Sequence, residues 1–73
     1  MPKLPEIKPK KLLKVLQKLG FIISRQKGSH MRLHGPNGER VTIAVHNKPL
    51  AKGTLNSILK QAKLSQEELL QLI

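Results

Sequence analysis

Two short alternating runs constrain the fold of this chain more than any other feature. Residues 28–34 read Gly-Ser-His-Met-Arg-Leu-His, with His30, Arg32 and His34 at one parity and Met31 and Leu33 at the other. In a strand, successive side chains point to opposite faces. Met31 and Leu33 then enter a core while two imidazoles and a guanidinium stand on the opposite face. Residues 41–46 repeat the pattern, with Val41, Ile43 and Val45 apolar and Thr42, Ala44 and His46 opposite them. Paired, the two strands put three imidazoles and Arg32 on one polar sheet surface.

The remaining elements follow from spacing and punctuation. Residues 1–8 carry two prolines and no period, and read as an extended, mobile lead-in. Pro9 suits the first position of a helix. Leu12, Leu13, Leu16 and Leu19 form the buried stripe of that helix with Val15 at its edge, and Lys10, Lys11, Lys14 and Lys18 lie opposite. Gly20 ends it as a left-handed cap. Phe21 to Lys27 reads as a strand, Lys27-Gly28 as a two-residue hairpin turn, and Ser29 to His34 as the return strand. Gly35-Pro36-Asn37-Gly38 is a second turn, and a third strand runs from Glu39 or Arg40 to His46. After a loop over residues 47–50, Thr54 is the expected N-cap of a helix with Leu55, Ile58, Leu59 and Ala62 on its apolar face. Ser65-Gln66-Glu67-Glu68 is a capping box, so a short helix closes the chain. The expected architecture is α+β, a three-stranded antiparallel sheet with helices on one face, in the order α-β-β-β-α.

A chain of 73 residues makes one small domain over residues 1–73, which buries only about 60% of its unfolded surface. With no cysteine there is neither a disulfide nor a thiolate metal site. No apolar run approaches membrane-spanning length and no signal-peptide pattern is present, so a cytoplasmic protein is expected. Fourteen Lys and Arg stand against four Asp and Glu, a formal net charge of +10. All fourteen lie within residues 1–63, where the only acids are Glu6 and Glu39. That imbalance points to a polyanionic partner, with nucleic acid first. Phe21 is the only Phe, Tyr or Trp, which excludes readers of the kind that stack bases on several such rings.

Among titratable groups, four scattered carboxylates leave His30, His34 and His46 as the candidates for acid–base work. A protease triad is excluded because Ser29 and His30 are adjacent and diverge on a strand, and the glycines fit neither a Walker loop nor a dinucleotide fingerprint. RNA lowers the requirement. Its 2′-hydroxyl is an internal nucleophile beside the scissile phosphate, so one positioned imidazole suffices as base, a contribution of about 10²–10⁴ in rate. Arg32, two residues from His30 on the same face, is the natural cation for the phosphorane, with Lys27 and Arg25 as further candidates. Three imidazoles on one face are also a set that zinc accepts. Against that, the surrounding charge repels a cation and no carboxylate is placed to orient the rings.

The order of a basic amphipathic helix, Leu19-Gly20-Phe21, the segment R-Q-K-G-S-H at 25–30, a strand ending V-H at 45–46, and K-G-T-L-N-S-I-L-K-Q-A at 52–62 resembles the HicA family of toxins. These are small mRNA interferases of HicA–HicB toxin–antitoxin systems, and the resemblance covers roughly residues 9–73. It implies a fold like that of a double-stranded-RNA-binding domain, ribosome-independent cleavage of mRNA, and growth arrest relieved by a HicB-type antitoxin; no cofactor is expected, since the 2′-hydroxyl supplies the nucleophile. The histidine of the G-S-H motif is the family's catalytic residue, which places that role on His30, with Gly28 and Ser29 in the same motif. The RNA-binding set expected here is Lys27, Gly28, Ser29, Arg32, Arg25 and His46. Ala44 departs from the family, which often carries proline shortly before the histidine matched by His46. A non-catalytic RNA-binding module of the same fold is the alternative, and a protein-interaction module meeting an acidic antitoxin is a third reading.

Overall fold

The computed structural model describes residues 5–73; residues 1–4 of the expected lead-in lie outside them. The elements run α1 (Pro9–Lys18), β1 (Ile22–Lys27), β2 (His30–His34), β3 (Arg40–Ala44), α2 (Lys52–Ala62) and α3 (Gln66–Leu72). The strands form one antiparallel sheet in the order β1-β2-β3. This is the expected α-β-β-β-α order, closed by the expected short terminal helix.

Local chemistry explains where each helix stops. At the end of α1, Gly20 takes φ +96°. The N–H of Phe21 donates to the Leu16 carbonyl at 3.0 Å and that of Gly20 to Gln17 at 3.1 Å, the bond pair of a Schellman cap. Phe21 is thereby turned into the core rather than into β1. α2 ends the same way without a glycine. Lys63 sits at φ 56°, ψ 39°, while Leu64 donates to Leu59 at 2.9 Å. α3 opens on the expected capping box: Glu68 N–H donates to Ser65 Oγ at 3.0 Å, and Ser65 N–H to Glu68 Oε1 at 3.1 Å.

Leu12, Val15 and Leu16 of α1, Leu33 of β2, Val41 and Ile43 of β3, Leu55, Ile58, Leu59 and Ala62 of α2, and Leu69 of α3 share one core. Both α1 and α2 pack against β3, and the Gln61 side chain of α2 accepts from the Thr42 N–H at 3.4 Å, covering the outer edge of that strand. The other edge, β1, is exposed along its whole length.

Four expectations shift. Residues 5–8 carry no helix or strand and Lys8 is extended, but this part of the lead-in is tied down: Ile7 is only 3% exposed, and its carbonyl accepts from Leu50 N–H at 2.8 Å. The β1–β2 turn is Gly28-Ser29, one residue later than expected, with Gly28 at φ +59° and Ser29 without positive φ. That is the pattern of a type II′ turn, which wants glycine first. The second long helix starts at Lys52, with Ala51 as N-cap and no side-chain cap bond, so Thr54 lies in the first turn. β3 ends at Ala44, not at His46. A strand pairs only as far as its neighbour extends. Ala44 faces His30, Val45 N–H still reaches the Ser29 carbonyl at 2.6 Å, and beyond that β2 has already turned.

Candidate active site on the open face of the sheet

Directly paired residues of antiparallel strands share a face, so the register fixes what stands together. Lys27 pairs with His30 and His30 with Ala44; Arg25 pairs with Arg32 and Arg32 with Thr42; Ile22 pairs with His34 and His34 with Arg40. The open face of the sheet is therefore three rows of three. Pairs within a row have Cα atoms about 4.5–5.5 Å apart, and successive rows are about 6.6 Å apart along the strand. Except for half-buried Ala44, all nine residues are exposed.

The rows depend on a bulge that the sequence reading lacked. Register slips between Ile23 and Arg25, so Ser24 is the extra residue. Its hydroxyl donates to the Arg32 carbonyl at 3.2 Å. With strict alternation, Ile23, Arg25 and Lys27 share one face and Ile22 takes the other. The bulge resets the phase: Ile23 pairs with inward Leu33, while Ile22, Arg25 and Lys27 all join the face of His30. The signal was present in the sequence, since two adjacent isoleucines followed by cations at 25 and 27 fit no single phase of a strand.

His30 opens the central strand, beside the Gly28-Ser29 turn and hydrogen-bonded into ladders on both sides. A groove of about 350 Å³ is lined by Arg25, Lys27, His30, Met31, Arg32 and Thr42. Three cations and an imidazole line it without a carboxylate, so its field has one sign and concentrates anions. Arg25 and Arg32 face each other directly, an arrangement that destabilises a sheet and that an anion between them relieves.

Of the expected site residues, Lys27, Arg25, Arg32 and His30 come together, with Gly28 and Ser29 as the adjoining turn. His46 does not join them. It lies past the end of β3, exposed, and its Nδ1 accepts the Lys48 N–H at 3.2 Å. His34 shares the face but is four residues from His30, about 13 Å along the strand. Accordingly, among the described residues no three His, Cys, Asp or Glu side chains are grouped so as to hold a metal ion, and the expected three-imidazole surface is not a ligand set. Sequence reasoning missed Arg40 and Ile22 on this face. No described helix is long and apolar enough to cross a membrane.

The family described as HicA toxin of bacterial toxin-antitoxin matches residues 9–64, from the first residue of α1 to just past α2. No curated protein matches the chain.

Proposed function

The chain belongs to the HicA family of toxins from bacterial toxin–antitoxin systems, and from that premise we propose that it is a metal-independent endoribonuclease that cleaves mRNA with His30 as its acid–base residue. The observation that carries the reading is the pairing of His30 with Lys27 beside the facing guanidinium groups of Arg25 and Arg32, on one exposed surface.

RNA enters along the groove with its phosphates against the cations. The His30 imidazole removes the 2′-hydroxyl proton, and the freed oxygen attacks phosphorus. The bond from phosphorus to the 5′-oxygen breaks and that oxygen takes up a proton from water, leaving a 2′,3′-cyclic phosphate and a 5′-hydroxyl, and His30 gives the proton it took back to solvent. Because the substrate supplies the nucleophile, the protein's part is positioning, proton transfer and charge stabilisation. Lys27 and Arg32 are nearest the phosphorane. Arg25 holds the neighbouring phosphate, Gly28 and Ser29 bring turn backbone close to the RNA, and His46 contacts backbone at the margin of the site.

The partner in this reading is a HicB-type antitoxin that covers the same cationic face, and both proteins act in the cytoplasm. Expression of the wild-type chain in a bacterium should arrest growth with loss of mRNA, reversed by the antitoxin. Expression of His30→Ala to the same level, as a folded protein, should do neither. Arrest by the variant equal to wild type overturns the role of His30.

A further inference from the structure

The groove accounts for two of the three rows on the open face. The third, Ile22, His34 and Arg40, has no part in the chemistry above. Yet it lies on the same face, and Ile22 is 70% exposed, more than any other large apolar side chain among the described residues. Nothing in the core requires Ile22 to face out; the Ser24 bulge puts it there.

We propose that this row is a nucleotide subsite, in which Arg40 binds an RNA phosphate and the base lies against Ile22 and the His34 imidazole. The proposal rests on the endoribonuclease reading for its ligand class and deepens it by giving the RNA a path. Rows about 6.6 Å apart along the strand match the separation of successive phosphates in an extended single strand. With the scissile phosphate in the His30 row, the next phosphate falls between Arg25 and Arg32, and the one after it beside Arg40. Phe21, the only Phe, Tyr or Trp in the sequence, is buried, so a base on this face has no phenyl or indole to stack on. With His30 given to the chemistry, His34 is the flat ring left on this face, and directly opposite it stands the one large apolar side chain of the three rows. A cation, a flat ring and an apolar contact in one row are the three groups a nucleotide uses.

The test is binding in a His30→Ala background, where the RNA stays intact, using fluorescein-labelled oligoribonucleotides lengthened one nucleotide at a time on either side. Affinity should rise about tenfold at the length that fills the third row, and the salt dependence should steepen there by about 0.7 in log–log slope for one more phosphate. Arg40→Gln, His34→Ala and Ile22→Ser should each reduce that step while leaving shorter oligonucleotides bound as before. An abasic sugar at that position should abolish the Ile22 effect and keep the Arg40 effect. Equal weakening at every length, or no step at all, overturns the subsite. So does an Ile22→Ser variant that binds RNA normally but loses antitoxin, which assigns the residue to the protein partner. Cleavage by the wild type is scored separately: a binding step without cleavage keeps the subsite and ends the nuclease reading, and cleavage without a step does the reverse.

Discussion

Arg25 lies directly opposite Arg32 across the β1–β2 ladder, on the same exposed face. Like charges in that relationship cost stability, so the pair does not serve to hold the sheet together, and the proposed function assigns it to an RNA phosphate. Arg25→Glu turns the repulsion into an attraction. It should stabilise the free protein by about 0.5 kcal/mol in urea unfolding, while its affinity for RNA falls and its salt slope drops by about 0.7. RNA binding unaltered by this reversal would take the pair out of the binding surface.

Lys63 is the one non-glycine residue with positive φ among the described residues. A side chain in that conformation costs about 1–2 kcal/mol, of which a glycine recovers part, since it also loses more entropy on folding. Lys63→Gly should therefore raise stability by about 1 kcal/mol and leave RNA cleavage unchanged, because the residue lies off the sheet face. A lower melting temperature contradicts the strain.

Gly35 sits where β2 gives way to the second turn, and a Cβ there meets Glu39 Oε1 at 2.5 Å and the Phe21 ring at 2.8 Å. Glu39 is itself buried and accepts the Asn37 N–H at 2.8 Å, so neither neighbour gives way freely. Gly35→Ala should cost about 2 kcal/mol, read as a lower urea midpoint with an unchanged slope. A variant as stable as wild type shows that the turn relaxes.

Much of this fold was legible in the sequence because its signals are local. Pro9 and Gly20 bracket α1, the leucine stripe gives its buried face, and the Ser65 to Glu68 capping box starts α3. What escaped depends on pairing between strands. The alternation of residues 41–46 looks uniform, yet β3 stops at Ala44 because β2 has no further residue to offer, and His46 leaves the sheet. The phase conflict at Ile22, Ile23 and Arg25 was visible, but only the register shows that Ser24 absorbs it. Ile7 carries no period to announce it, and it is held by Leu50, far along the chain. For the site, G-S-H marked His30 and nearby composition marked Arg32. The placement of Arg25 and Lys27 on the same face, and of Arg40 and Ile22 beyond them, came from the bulge and the register.

The central claim is that His30 cleaves RNA through the 2′-hydroxyl. It is tested most directly by incubating an end-labelled mRNA with purified protein in excess EDTA, wild type beside His30→Ala, with both folded by circular dichroism. The account predicts cleavage by wild type alone, with 2′,3′-cyclic phosphate ends. Equal cleavage by both proteins, or cleavage that appears only when a divalent metal is restored, would contradict it.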